Sequence, residues 1–251
     1  WGEPRGGGGR GRAEGAATWL GGAGRPADGP RPAREVHEFR SAPKLFGAMR
    51  RSFLGTGPPR FDRPIALEEH IAALPPGGAV KGMFLRDPIA VAAERDPHVD
   101  LFALAGIAPR RVLPFFDYPY ADHMRLLVAA SQLRWPDQPL GEGLRRIGQR
   151  GYDTLLGHNI GRVIFAAMGG DFGRVVSVGA RGWKIGIGFG EVSFEPLGDR
   201  HGAYHMRNLP CFIETYQVGV VEGAMRTCGV VGEVWARVDS LADGDLELWW
   251  E

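Results

Sequence analysis

Cysteine is scarce in this chain: Cys211 and Cys228 are the only two in 251 residues. Two thiols exclude a disulfide-stapled scaffold and a four-thiolate zinc site, and there is no C-x-x-C pair. An excess of one charge is also missing. Lys and Arg number 30 against 29 Asp and Glu, a formal net charge of +1. No large single-sign field is available, so neither nucleic acid nor an acidic membrane is expected as a partner. No apolar run reaches the roughly 18–20 residues that span a bilayer, and no basic start leads into a signal-type apolar stretch. The expected compartment is cytoplasmic. There is no G-x-S-x-G, no Walker loop, no kinase signature and no H-E-x-x-H. Gly186-x-Gly188-x-Gly190 sits in a stretch that reads as extended with no helix after it, unlike a dinucleotide fingerprint. With no nucleophile and base to pair, the chain is not expected to be an enzyme.

Glycine and proline, by contrast, are plentiful, at 39 and 19 residues. They concentrate at the N-terminus, where residues 1–34 hold 11 Gly, 6 Arg and 4 Pro. Such a stretch has little to bury and much backbone entropy to lose, which predicts a disordered tail. Arg5-Gly6 and Arg10-Gly11-Arg12 resemble an RNA-contacting RGG segment, but no Phe or Tyr is interleaved among them. Residues 65–74 form one short helical pattern, broken by Pro75-Pro76-Gly77-Gly78. We therefore expect a weakly structured extension over 1–78 and a single domain over 79–251.

Within that domain the first half reads as helical. Asp87-Pro88 looks like a cap and first-turn proline opening a helix over 88–95. Further helices are expected at 98–106, 118–133, 140–150 and 152–168. After Gly169-Gly170 the period changes. Residues 175–178, 182–189 and 191–197 look extended, rich in β-branched and aromatic side chains. Pro210 opens a helix to about Thr227, stopped by Gly229. Residues 230–238 and 245–251 close the chain as a hairpin around Asp243-Gly244. Helices, then strands, a helix and a hairpin make an α+β domain with an antiparallel sheet.

Few side chains stand out as chemistry. His201 and His205 are four apart, but an extended segment separates them by roughly 13 Å, too far to share a metal. Cys211 and Cys228 bracket a helix of about 17 residues and lie about 25 Å apart. The aromatic side chains of the second half are the stronger signal. Trp183, Phe189, Tyr204, Phe212 and Tyr216, with His205 and Arg207 as polar handles, are the candidate lining of an apolar pocket.

KGMFL at 81–85, YPYADHMRLL at 118–127, GEGLRRIGQRGYDTLLGHNIGR at 141–162 and FIETYQVGVVEGAM at 212–225 carry a family resemblance. About 170 residues resemble an uncharacterised paralogous family of about 200-residue proteins expanded in myxobacteria. More distantly, the order of elements is similar to the haem nitric oxide/oxygen-binding fold and to 4-vinyl reductase sensor domains. In that comparison Gly219-Val220-Val221-Glu222-Gly223 stands for a G-x-x-E-G-like turn. The resemblance implies an N-terminal helical half, then an antiparallel sheet with a packed helix and a C-terminal hairpin.

It also implies a haem histidine on the helix before the sheet, where this chain reads Gly170–Arg174 and has none. In place of the family's Y-x-S-x-R clamp for the haem propionates it reads Tyr204-His205-Met206-Arg207. Haem iron needs an axial ligand and propionates need placed donors, so no cofactor is expected. The implied function is a non-enzymatic sensory or regulatory domain binding a small apolar ligand or a signalling protein. The alternatives are a haem gas sensor using His158 or His205, and a pure protein-interaction module.

Overall fold

The computed structural model describes residues 52–157 and 159–251. The glycine-rich tail, the RGG-like arginines, His37 and His158 lie outside the described residues. The helical half comprises α1 (Leu67–Ala72), α2 (Arg86–Arg95), α3 (Leu101–Leu104), α4 (Tyr120–Arg134), α5 (Leu140–Gly148), α6 (Gly151–Gly157), α7 (Asn159–Ala167) and α8 (Phe172–Gly186). A small ribbon of β1 (Ala79–Lys81) and β2 (Asp117–Pro119) is threaded among them. Then come β3 (Glu191–Gly198), β4 (His201–Arg207), a π-helical turn (Ile213–Gln217), α9 (Val218–Cys228), β5 (Gly232–Val238) and β6 (Gly244–Trp250). The four long strands form one antiparallel sheet in the order β3-β4-β6-β5. This is the expected α+β architecture.

Helix α4 lies at the centre of the helical half. Met124, Leu126, Leu127 and Ala130 recur at helical spacing and are fully or almost fully buried. On the other side of the core, Leu246 and Leu248 of β6 are completely buried. One continuous apolar cluster joins the two halves through Phe172, Val175 and Val176 of α8 and Val218, Val221 and Met225 of α9.

Four expectations need correction. Residues 175–178 and 182–189 are not strands: all but the last three belong to α8. The Asp171 carboxylate accepts from the Arg174 amide at 2.7 Å and caps that helix. Phe172, Val175, Val176 and Ala180 then bury one face at i, i+3, i+4 and i+8 spacing. Packing of that stripe outweighs the β propensity of its valines.

Gly219–Gly223 is likewise not a turn but the first half of α9, where it crosses α5. A Cβ at Gly219 would lie 2.0 Å from the Arg145 carbonyl oxygen, and one at Gly223 would lie 2.4 Å from that of Gln149. The two glycines let the helix backbones touch. Glu222 between them takes Arg145 Nε at 2.7 Å, Arg145 Nη2 at 2.9 Å and Gln149 Nε2 at 2.8 Å. The crossing is thus held by a forked ion pair.

Asp87 is not a cap either. It lies inside α2, buried, and receives the Thr154 hydroxyl from α6. Finally, the folded unit begins earlier than residue 79. Gly57 pairs with Ala236 of β5, Phe61 lies under the Arg145 guanidinium, and Glu68 of α1 pairs with Arg125 of α4.

Candidate functional site

Strand alternation decides which candidates can meet. Along β4, Tyr204 and Met206 face the helices, while His205 and Arg207 face the other way. Tyr204 is buried, and its hydroxyl donates to the Val176 carbonyl of α8 at 2.6 Å. It borders a partly open cavity of about 80 Å³ between α6, α8, α9 and the inner face of β3 and β4. Tyr152, Val176, Gly179, Ala180, Trp183, Val192, Tyr204, Met206, Gln217, Val220, Val221 and Ala224 line it. The walls are mostly apolar. The two phenols converge on Gly179, where a Cβ would lie 3.4 Å from both hydroxyl oxygens.

Few polar groups border the cavity, and most are committed. Burial, reinforced by Tyr152, holds the Tyr204 phenol well above its ordinary pKa. Burial, with Cys228 nearby, pushes Tyr152 up to about 12. Both phenols are therefore neutral at physiological pH. Gln217 gives its side-chain amide to Cys211 Sγ at 3.2 Å. The indole N–H of Trp183 differs, being buried with no acceptor among the described residues. A buried unpaired donor is costly, and its presence at a cavity wall calls for an explanation.

Of the seven pocket candidates, only Trp183 and Tyr204 line this cavity. Phe189 packs edge-on against Tyr120, with ring centroids 4.9 Å apart. Phe212 lies 4.8 Å from the His70 ring, and Tyr216 lies 5.9 Å from that of His123. All three are core neighbours of α1 and α4. His205 and Arg207 are on the opposite face of the sheet, where both hold the carboxylate of Asp245. His205 Nδ1 and Arg207 Nη2 are each 2.8 Å from Asp245 Oδ1. His123, fully buried, has its pKa pushed down to about 3 by desolvation and stays neutral.

A haem does not fit the described residues at this place. The α8 face toward the cavity carries Val176, Gly179, Ala180 and Trp183, none an iron ligand. None of the described histidines lines the cavity, and the neutral phenols are poor axial donors. Tyr204 and Arg207 are three apart on a strand, so they point to opposite faces and cannot clamp one propionate pair. A Y-x-S-x-R spacing would align its three side chains. The volume is also far below the ~300–1,000 Å³ of pockets for cofactor-sized ligands. A wider open groove of about 580 Å³ lies between α8 and β3, around Arg174, Arg181 and Trp250, and none of the described histidines lines it either.

The sequence reading missed Glu247. This carboxylate is completely buried on the outer sheet face. It accepts from Ser52 Oγ and Thr56 Oγ1, each at 2.6 Å, and from the Phe53 amide at 3.0 Å. His201 Nε2 lies 2.8 Å away. Burial pushes its pKa up, but these donors outweigh that and hold it below the ordinary glutamate value. Its signal in the sequence was the alternation Asp245-Leu246-Glu247-Leu248, acidic residues on one face of an otherwise apolar strand.

Several solved structures are similar to this one, all at low identity. A mutant H-NOX protein from K. algicida, in its unliganded Fe(II) form, is 9% identical with a TM-score of 0.55; the match covers 68% of this chain and 96% of that one. An H-NOX protein mutant from S. oneidensis, in the Fe(II) ligation state, is 11% identical with the same TM-score and coverage. An oxygen-binding H-NOX domain related to soluble guanylate cyclases, in its oxygen complex, is 15% identical with a TM-score of 0.52, over 68% of this chain and 94% of that one. At such identities the likeness establishes the fold. No curated protein matches the sequence. Residues 76–251 match a family model, and the chain belongs to that family, described as Protein of unknown function (DUF2378).

Proposed function

We propose that this domain is a non-enzymatic sensory or regulatory module that holds a small, largely apolar ligand in the cavity beneath α8. The observation that carries this reading is the pairing of apolar walls with one unspent donor, the buried Trp183 indole N–H. A ligand with an apolar body and a single acceptor atom would fill the space and satisfy that group. Size narrows the class. An apolar cavity of ~150 Å³ takes benzene, so about 80 Å³ suits a molecule of only a few heavy atoms. The H-NOX relatives support a sensory role, one of them being described as oxygen-binding. In this chain the ligand is held without iron. A signalling protein would read out a shift of α8 against the sheet.

The test is native mass and an absorbance spectrum of the purified full chain, followed by thermal scans with small neutral molecules and dissolved gases. The expected result is a colourless protein with a ligand-dependent rise in melting temperature. A ligand at a hundred times its Kd stabilises by about 2.7 kcal/mol. Ala224→Leu, which fills the cavity from α9, should remove the rise. A Soret band with a one-haem mass increment would replace this reading with a haem sensor and send the search to His158. An apo mass with no ligand-dependent stability change would leave an interaction module.

A further inference from the structure

We propose that the outer face of the sheet, centred on Glu247, is a docking site for a curled peptide segment bearing two hydroxyl side chains four residues apart. In this structure the chain's own residues 52–57 occupy it. The contacts read as recognition of a linear motif. The Glu247 carboxylate takes both hydroxyls, Ser52 and Thr56, and the amide between them, that of Phe53. Ser52 Oγ in turn accepts from the Leu54 and Thr56 amides, which fixes the segment's curl. The Arg237 guanidinium of β5 donates to the Leu54 carbonyl. Gly57 then pairs with Ala236 through two backbone bonds of 3.1 and 2.8 Å, along the outer edge of β5, the last strand of the sheet. Strand-edge pairing combined with side-chain pockets is a recurring way to bind peptides.

Two observations separate this arrangement from ordinary core structure. The segment buries little apolar surface: Phe53 is 76% exposed, and Thr56 is the only buried residue among 52–57. Directional polar bonds hold it, and such contacts open without disturbing the core. Moreover, every receiving group (His201, Ala236, Arg237 and Glu247) lies within the matched residues 76–251, while the whole segment precedes them. The site belongs to the family domain and its present occupant does not. Release of the segment would take three of its four partners from the Glu247 carboxylate, leaving His201, and would leave a sheet edge unpaired. Both are costly states that a second segment of the same pattern relieves. The proposal does not depend on the cavity, so either can fail alone.

The probe is a fluorescent synthetic peptide of residues 50–60, added in trans to the full chain. The intramolecular segment competes at the millimolar effective concentration of a short tether, so wild type should bind the peptide weakly. Full-length Ser52→Ala/Thr56→Ala, which loses both hydroxyl donors, should bind it at least tenfold more tightly. Adding Glu247→Gln should remove that gain, and a peptide with both hydroxyls replaced by alanine should not bind. Self-association of wild type at rising concentration, lost in the double variant, would name a second copy as one source of the segment and also support the site. A folded double variant that ignores the peptide would overturn the proposal. Should the variants fail to fold, hydrogen exchange of wild type decides. The Phe53 and Thr56 amides should exchange at least a hundredfold faster than those of Leu246 and Leu248. Exchange only through global unfolding would make the segment a fixed part of the fold.

Discussion

The two faces of the β3-β4-β6-β5 sheet come from the same strands, one residue apart. The inner face carries Tyr204, Met206, Leu246 and Leu248, and it is apolar, buried and joined to the helices. The outer face carries His201, His205, Asp245, Glu247 and Arg237, and it is nearly as buried at its centre: Asp245 is 1% and Glu247 0% exposed. What differs is how burial is made tolerable. Apolar groups need only neighbours. A buried carboxylate needs donors, and here four reach Glu247 while Asp245 takes His205, Arg207 and Arg237. Burial on the outer face is therefore conditional on partners, and some of those partners can leave. The inner face suits a cavity and the outer face suits docking.

Adjacent substitutions on β6 break this comparison most directly. Leu248→Ala removes a fully buried side chain packed in the main cluster. It should cost about 2–5 kcal/mol of global stability in urea denaturation. A loss under about 1 kcal/mol would mean that the inner face is loosely packed. Glu247→Ala, one residue earlier, should cost less, about 1–3 kcal/mol for the groups left without partners. Most of that loss should be local. Amide protection should fall at Phe53 and Thr56 and persist at Leu246. Equal loss of protection on both faces would erase the distinction drawn here.

Acid sharpens it further. The carboxyls of Asp245 and Glu247 are held below their ordinary pKa values: burial works upward on each, but the donors of His205 and Arg207 on Asp245, and of Ser52 and Thr56 on Glu247, prevail. A depressed folded pKa contributes stability that is full above the unfolded value and is lost as pH falls through the folded one. The outer-face contacts should therefore hold from pH 7 to about 5 and release below the ordinary carboxylate range of roughly 4. The Phe53 and Thr56 amide resonances in an NMR titration would report it. Asp87 in α2 behaves oppositely. Burial raises its pKa to about 6 despite the Thr154 hydroxyl. Stability therefore falls as pH rises from its unfolded value of about 4 toward 6. Asp87→Asn should stabilise the domain at pH 7 and leave the acid release of residues 52–57 unchanged.

Much of the fold was legible because packing and local pattern agreed. Helix α4 shows its stripe at Met124, Leu127 and Val128, and the C-terminal hairpin shows its turn at Asp243-Gly244. The reading failed where tertiary contacts overrode propensity. The valines of α8 look like a strand until Phe172, Val175, Val176 and Ala180 find a common buried side. Gly219 and Gly223 look like a turn until α5 lies against them. Of the aromatic residues singled out in the sequence, the fold places Trp183 and Tyr204 on the cavity. The reading grouped His205 and Arg207 with them by proximity in sequence, although a strand's period of two sends them to the other face. Glu247 could not be read as a site because its donors, Ser52 and Thr56, are about 190 residues away.

The smallest expected effect tests the inner face. Gly179 lies within α8, where a glycine costs roughly 0.5–1 kcal/mol relative to alanine. A Cβ there would sit 3.4 Å from the hydroxyls of Tyr152 and Tyr204, at the near edge of ordinary van der Waals contact. It would also narrow the cavity on the side where the two phenols converge. Gly179→Ala should therefore raise stability by about 0.5–1 kcal/mol while reducing the ligand-dependent shift in melting temperature. That combination would show a position kept less stable than it could be so that the space remains open. A gain in stability with the ligand response intact would move the ligand away from the cavity. The outer face would then be the functional side of the sheet.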